Sequence, residues 1–368
     1  MKFSDAFAHY RAGSASSEEC ALVEEELEKS RLISEYLDED WTQTPPPEPA
    51  QAELRQVRHS LRRHRAVTIL IAVVLAAALA AGTFFGALPL LERQYYNPEV
   101  YTYDRFCSDF DLYLMAYTEL FHPGYVYDHT LVTKTGLGRY QLELVRYGFY
   151  AGESEYFSAA LDRGSLTMPR SFQSSYLPCN IIERASYPVY PMEDTHKASV
   201  RQQLEELPDY IQVTAAISFP EDLSMAQLLD FMDTIDGTLC WAGIRNAPED
   251  KQCYPLCGLD PYGSGILVEG INSFYPYFEQ AGEAVTGEVL EAHFESLLQF
   301  LTDQTEFPAE AEQGWVSESY YPSVLDYIRQ DGVHSYGGVI AAAPGELLRL
   351  LDEGVITQVW PMDAYIRF

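Results

Sequence analysis

The feature that most constrains this chain is a run of 26 uncharged residues from Ala66 to Leu91. The run is rich in Ala, Leu, Val and Ile, and about 20 such residues span the hydrocarbon core of a bilayer. A buried helix of a soluble protein is the alternative, but uncharged runs of this length are typical of transmembrane helices. Because 65 residues precede the run, we interpret it as an uncleaved signal anchor and not as a cleaved signal peptide.

Charge is distributed unevenly on the two sides of this segment. Residues 1–53 hold 13 acidic and four basic residues, whereas residues 92–368 hold 42 acidic and 15 basic residues. Between them, residues 54–65 carry no acid and five arginines: Arg55, Arg58, Arg62, Arg63 and Arg65. Since only Arg93 and Arg105 follow closely after the span, the positive-inside rule predicts a single-pass cell-membrane protein with a cytoplasmic N-terminus and an extracytoplasmic C-terminal domain.

The net charge of −31 argues against nucleic acid as a direct partner, because the phosphate backbone would repel such a chain. The arginine cluster has a simpler role beside the membrane, where basic residues bind anionic lipid. Membrane lipid is therefore one predicted partner.

Residues 1–40 are predicted to form a cytoplasmic helical domain. Phe3, Phe7 and Tyr10 fall on one helical stripe that Gly13 interrupts, and Ser16 with Glu19 predicts a capping box before a second helix, from about Ser17 to Asp38. Two such short helices bury little surface, so we expect a protein partner; a loose amphipathic helix pair at the membrane surface is the alternative. The second helix offers these candidate contacts: Val23, Leu27, Ile33, Tyr36, Leu37, Glu24, Glu25, Glu26 and Glu28.

Residues 41–65 are predicted to be a linker, first rich in proline and then in arginine. Pro45, Pro46, Pro47 and Pro49 favour an extended spacer leading to the membrane segment, 66–91.

The remaining sequence predicts an α+β domain. Residues 92–190 are β-rich, with a turn at Gly136-Leu-Gly138. Residues 191–368 contain strand–helix–strand twice, which predicts a split βαβ, or ferredoxin-like, sheet with residues 246–330 as an insertion. The helices are expected to bury Leu228, Leu229, Met232 and Ile235, and Leu347, Leu348, Leu350 and Leu351.

Five cysteines lie in this outer part, and their chemistry is open. An exported location permits disulfides, and Cys253 with Cys257, or either with Cys240, could form one; buried thiols are the alternative. The sequence contains no catalytic, dinucleotide-binding or Walker motif and no convincing ligand set for a metal, so we predict neither an enzyme nor a cofactor. His122 and His129 flank a turn with Asp128 beside them, so a metal site of two histidines and a carboxylate is the minor alternative there.

The N-terminal segment resembles a known family. The run Phe7-Ala-His-Tyr10-Arg-Ala-Gly13 is followed by Ser17-Glu18-Glu19, Val23-Glu24, Glu26-Leu27-Glu28-Lys29 and Ile33-Ser-Glu-Tyr36-Leu37. This pattern is similar to the N-terminal domain of the sigma factor regulators, membrane anti-sigma factors of Gram-positive bacteria. Zinc-binding relatives carry His-x-x-x-Cys-x-x-Cys where this chain has Glu26, Ser30 and Ile33, so the resemblance is to a type without zinc.

The C-terminal part resembles the same regulators. The similar stretches are Tyr117-Thr-Glu119-Leu120, His122-Pro123-Gly124, Ala216-Ile-Ser-Phe219, Tyr327-Ile328, His334-Ser-Tyr336-Gly337-Gly338-Val339 and the helix from Glu346 to Leu351.

The resemblance implies an anti-sigma factor that holds an extracytoplasmic-function sigma factor through its N-terminal helices and senses an envelope signal outside, with an envelope ligand or a protease as further partners. A membrane-anchored surface module that binds a cell-wall component is the alternative function, and a surface enzyme is the third.

Overall fold

The computed structural model describes residues 3–42, 48–148, 154–173, 181–186, 193–263, 268, 270–279, 285–304 and 319–366. The chain divides into two compact units, Met1–Gly86 and Ala87–Phe368. The predicted subdivision at residue 190 falls outside the described ranges and stays a prediction.

Helices make up the described part of the first unit. They are α1 (Phe3–Arg11), α2 (Ser17–Thr42) and α3 (Glu48–Gly82). Helix α2 begins where the capping box predicted it and runs one turn further than expected. The predicted extended spacer is wrong at Pro49, which is the second residue of α3, because proline is tolerated in the first turn of a helix. Pro45, Pro46 and Pro47 lie outside the described residues.

The apolar run is helical from end to end. A π-helical turn at Thr83–Ala87 and the short helix α4 (Leu88–Glu92) continue from α3. Within the described residues, one helix, Arg55–Glu92, is long and apolar enough to cross a membrane, and none of its apolar window is buried. That exposure removes the alternative of a core helix in a soluble protein.

The second unit begins with a buried helix and an antiparallel meander. Helix α5 (Asp109–Phe121) begins at the N-cap Ser108 and is buried on nearly every side. The strands pair in the order β1-β2-β3-β4, and the β1–β2 turn lies at the predicted glycines. The elements are β1 (Tyr125–Gly136), β2 (Arg139–Gly148), β3 (Ser154–Asp162), β4 (Ser165–Thr167) and the one-turn helix α6 (Arg170–Gln173).

A second sheet confirms the predicted ferredoxin-like topology. Its order is β7-β6-β8-β5-β9, with every neighbouring pair antiparallel, and β6 and β8 enclose the insertion. Its elements are α7 (Asp194–Glu206), β5 (Ile211–Ser224), α8 (Met225–Thr234), β6 (Gly237–Ile244), β7 (Cys257–Leu259), α9 (Gly287–Asp303), α10 (Tyr320–Asp331), β8 (His334–Ala342), α11 (Pro344–Asp352) and β9 (Gln358–Ile366).

Both faces of this sheet are covered, so the sequences of its strands are nearly continuous runs of apolar residues. Residues of β5 alternate between the main core and a smaller cluster around Trp241 and Tyr336 on the other face. Local signals mark the ends of these helices: the Ser224–Gln227 capping box opens α8, and Gly354, at φ +70°, follows α11.

The predicted buried faces of α8 and α11 need correction. Helix α8 buries Met225, Leu228 and Phe231, whereas Leu229 and Met232 are only half-buried. Helix α11 buries Leu347 and Leu350, and its other two leucines lie at the edge of the core. Each helix packs on the sheet from one side only, so its buried stripe is narrower than the run of apolar residues suggests.

Candidate functional site

The N-terminal candidate site is a hairpin of α1 and α2. Glu19 accepts the backbone N–H of Ser16 at 2.8 Å, and Ser16 Oγ accepts the N–H of Glu19 at 3.3 Å, which confirms the capping box. His9 Nδ1 of α1 lies 3.0 Å from Glu19 Oε1. The Ser16 amide and, next, the His9 ring lower the pKa of Glu19. The cap therefore also joins the two helices.

Most of the predicted apolar contacts are exposed. Phe3 and Phe7 stack with ring centroids 5.9 Å apart and remain about two-fifths exposed. On the second helix, exposure reaches 61% at Ile33 and 70% at Tyr36. The exposed members of the predicted set are Phe3, Phe7, Tyr10, Leu27, Ile33, Tyr36 and Leu37.

Val23 is the exception, because its side chain has no exposed surface. Ala6 of α1 is equally buried, and the two helices pack against each other. The placement of Val23 on a docking surface therefore needs correction: the residue lies in the small core of the hairpin.

The acidic residues of α2 are partly paired within the helix. Lys29 Nζ lies 2.7 Å from Glu25 and 3.0 Å from Glu26, and Arg31 lies 2.9 Å from Glu28. These pairs are exposed, so each stabilises the helix by only a few tenths of a kcal/mol. Their carboxylates remain accessible to a basic partner, as does that of Glu24.

The five arginines that precede the apolar run lie on α3 and are all exposed. One helix thus carries both the basic cluster, Arg55, Arg58, Arg62, Arg63 and Arg65, and the apolar segment.

A second, unpredicted polar centre lies inside the second unit, Ala87–Phe368, which is the predicted outer unit. Glu119 of α5 accepts from His293 Nε2 of α9 at 2.5 Å and from the backbone N–H of Asp260 at 3.1 Å. His293 Nδ1 lies 2.8 Å from the carbonyl oxygen of Tyr277. Because both ring nitrogens face acceptors, His293 is held as an imidazolium.

Burial shapes the protonation of this centre. Burial by itself lowers the pKa of His293, but the Glu119 carboxylate outweighs it, so the pKa of His293 is raised. Burial, and then the charge of Glu119, raise the pKa of Asp260 to about 8. Glu279 is buried nearby and adds to both effects. The centre therefore holds an extra proton at neutral pH.

In the sequence, Glu119 is noted only as part of the stretch Tyr117-Thr-Glu119-Leu120, which resembles the sigma factor regulators. The signal that could have found it is that Glu119 is the one charged residue between Leu112 and Phe121 of α5. Its partners follow 141 and 174 residues later, and no local pattern joins them.

His122 lines the same small cavity as Glu119 and Asp260, but its ring faces a different buried group, Arg146. Arg146 contacts His122 Nδ1 at 3.4 Å, forks onto Glu155 through Nε and Nη2 at 2.9 and 2.8 Å, and stacks on Tyr125 at 4.1 Å. Burial and then the Arg146 charge lower the pKa of His122. His129 pairs with Asp128 at the surface, so the turn does not bring the two histidines to one site. In the described ranges, no group of three or more His, Cys, Asp or Glu residues could hold a metal ion.

Among the described cysteines, Cys240, Cys253 and Cys257 are buried thiols, and Cys20 and Cys107 are half-buried thiols. Cys253 and Cys257 are not bonded to each other; Arg245 Nη1 lies 3.8 Å from the first sulfur and Asn246 Nδ2 lies 3.4 Å from the second. Cys240 is also buried, and its thiol donates to the Thr238 carbonyl at 3.3 Å. The structure favours buried thiols over the Cys253–Cys257 bridge, and Cys179 lies outside the described residues.

Comparison with known proteins identifies the outer domain. Residues 204–359, from the end of α7 to the start of β9, match the sigma factor regulator C-terminal family. None of the curated proteins and none of the solved structures matches the chain. The matched region is the ferredoxin-like sheet with its insertion, and the same chain carries one helix able to span a membrane. The chain therefore carries a sigma factor regulator C-terminal domain together with one helix long and apolar enough to span a membrane.

Proposed function

We propose that this chain is a membrane anti-sigma factor of the sigma factor regulator family, which sequesters an extracytoplasmic-function sigma factor through the α1–α2 hairpin and senses an envelope signal through its C-terminal unit. The observation that supports this most is the exposed apolar surface of the hairpin, on the same chain as a sigma factor regulator C-terminal domain. Exposed aromatic and aliphatic side chains on short helices are the usual anchors of helix-in-groove binding.

The second helix extends well beyond the first. At 1.5 Å per residue, α1 is about 14 Å long and α2 about 39 Å. The end of α2 therefore has no helical neighbour within the hairpin, yet it carries Leu32, Ile33, Tyr36 and Leu37, all more than half exposed. We propose that this end of α2 forms the centre of the sigma-binding surface, with Phe3, Phe7, Tyr10 and Leu27 extending it.

The acidic side chains would add charge complementarity. Glu24, Glu25, Glu26 and Glu28 would face basic residues that a sigma factor uses to bind DNA or RNA polymerase. Binding would then occlude those residues, which is the proposed mechanism of inhibition.

The proposed orientation places the hairpin in the cytoplasm. The five exposed arginines before the apolar run support it through the positive-inside rule. Reporter fusions test it: alkaline phosphatase fused after Phe368 should be active, and the same enzyme fused before Met1 should be inactive. The reverse result would place the hairpin outside and remove the proposed access to a sigma factor.

Binding is tested by co-purifying the full chain in detergent with the sigma factor encoded beside it. Phe7→Asp and Tyr36→Asp should each weaken binding by about tenfold or more, since a buried anchor contributes about 1–2 kcal/mol or more. Glu35→Gln is the control, because Glu35 lies on the same helix but faces away from Ile33. Failure of the unaltered chain to bind would reject the sigma factor as partner and favour the surface-binding alternative.

A further inference from the structure

A cleft of about 840 Å³ lies where the candidate membrane helix ends. Pro89 and Glu92 of α4 form one wall of the cleft, and the chain that leaves the helix, with Arg93 and Tyr95, forms another. The opposite side comes from the tips of two hairpins, which contribute Lys134, Tyr140 and Arg163. The cleft is thus built by three separate stretches of the chain that meet at the membrane end of the outer unit.

The hairpin tips hold the chain as it leaves the helix. Tyr95 packs so closely on Gly138 that a Cβ there would lie 2.7 Å from its ring. Arg163 donates its backbone N–H to the Gly138 carbonyl at 2.6 Å and places its guanidinium 5.9 Å from the centre of the Tyr95 ring. Lys134 pairs with Glu92. Because of these contacts, packed side chains define the wall of the cleft.

The charges in the cleft are not all satisfied by one another. Lys134 forms an ion pair with Glu92, and Asp109 accepts a hydrogen bond from the backbone N–H of Thr102 at 2.8 Å. In the part of the chain that the structure describes, Arg93 and Arg163 have no carboxylate partner. Arg163 also has φ +54°, a conformation that costs a non-glycine residue about 1 kcal/mol. Arg163 and Gly164 form the two-residue β3–β4 turn, which requires a positive φ at both residues and so fixes Arg163 at the hairpin tip.

We infer that this cleft binds the phosphate of a phospholipid headgroup through Arg93 and Arg163. Guanidinium groups suit phosphate because their donors match its oxygens in pairs. Tyrosines such as Tyr95 and Tyr140 are the residue type that collects at the membrane–water interface. Glu99 on the same cleft is an acceptor for the hydroxyl or ammonium group of the headgroup.

The position of the cleft identifies the source of the phosphate. Its wall includes Pro89 and Glu92, which belong to the helix able to span the membrane, so its opening meets the headgroup layer. A soluble phosphate ester carries the same chemistry but has no such reason to be there. The inference does not depend on the sigma factor, because it uses only the outer unit and the end of the helix.

The test is native mass spectrometry of the full chain, released from dodecyl maltoside micelles with added phosphatidylglycerol, diacylglycerol or glycerol phosphate. We expect phosphatidylglycerol to bind and diacylglycerol, which lacks phosphate, not to bind. Arg163→Gly should weaken lipid binding about tenfold, the usual effect of losing one charged hydrogen-bond donor. The same change should leave the melting temperature equal or higher, since glycine accepts a positive φ. Arg105→Gln is the control, because Arg105 is an exposed arginine outside this cleft and its loss should not alter binding.

Two outcomes would overturn the inference: equal binding of diacylglycerol, or unchanged binding by both Arg163→Gly and Arg93→Gln. Binding of glycerol phosphate as tight as that of the lipid would support the phosphate site but assign it to a soluble ester. Lipid binding is measured without a sigma factor, so a negative result in the sigma factor experiment would leave the lipid result unchanged, and the two proposals can be rejected separately.

Discussion

At the scale of single residues, the outer domain stands out for charged groups placed inside its core. Glu119 and His293 form a short pair at 2.5 Å, and Asp260 shares the same carboxylate through its backbone. Such a pair costs desolvation, and its loss leaves an uncompensated buried charge. The protonation of this centre should therefore be visible in the stability of the domain.

We expect the centre to make the protein less stable as pH rises. The folded-state pKa of Asp260, about 8, is far above its ordinary value of 3.8, so the folded state binds the proton more tightly over that interval and stability falls as pH increases. The raised pKa of His293 acts in the same direction, because its contribution is complete below about pH 6.5 and is lost above its folded-state pKa.

The measurement is urea unfolding of the full chain at pH 6 and pH 8. We expect the free energy of unfolding of the unaltered protein to fall by about 2 kcal/mol from pH 6 to pH 8 because of Asp260. Asp260→Asn should abolish this fall, since the amide resembles the protonated acid and does not titrate. Asp209→Asn, at an exposed position, should leave the loss unchanged. Equal pH dependence in both variants would show that Asp260 is ionised in the folded protein at pH 6.

At the scale of elements, the α1–α2 hairpin shows how a small unit divides its apolar residues. Val23 and Ala6 hold the two helices together, while most other apolar side chains stay exposed. A unit with so little core is marginal by itself, which is consistent with a segment that completes its packing on a partner.

Val23→Ala should destabilise the hairpin by about 1.5 kcal/mol, because it removes buried methyl groups. Leu22→Ala is the matched control, since Leu22 is the neighbouring residue and is 37% exposed. Hydrogen exchange of α1 should accelerate in the first variant and change little in the second. Equal acceleration would mean that α1 does not pack on Val23 in solution.

At the scale of the whole molecule, the outer unit is tied to the end of the membrane helix by the contact of Tyr95 with Gly138. The Tyr95–Gly138 contact and the Lys134–Glu92 pair join the β1–β2 hairpin to the end of α4 and the chain that follows it.

Gly138→Ala should displace Tyr95, because its Cβ would lie 2.7 Å from the ring at a φ of +61°. Gly124→Ala is the control, because Gly124 also has a positive φ but no atom lies within 4 Å of the added Cβ. Its loss of stability therefore measures the backbone conformational cost alone, about 1–2 kcal/mol. Only Gly138→Ala should increase hydrogen exchange at residues 94–100. Equal exchange there in both variants would show that Tyr95 does not rest on the hairpin tip.

The sequence determined much of this protein because several features are local. An uncharged run or a Ser-x-x-Glu cap acts through neighbours in the chain, so the apolar span and the start of α2 could be predicted, although the helix that contains the span begins at Glu48. The ferredoxin-like order followed as well, since two strand–helix–strand units in one antiparallel sheet leave few arrangements.

The tertiary structure decided what depends on contacts between distant residues. It buried Val23 while leaving Ile33 exposed, although both are apolar positions of one helix. It brought Glu119 to His293 across 174 residues, and Tyr95 to Gly138 across a hairpin. Periodicity in the sequence predicts which face of a helix or strand is apolar, but only the packed structure decides which elements that face contacts. The polar centre and the cleft at the end of the candidate membrane helix form from contacts between residues far apart in the sequence, so neither could be predicted from local patterns.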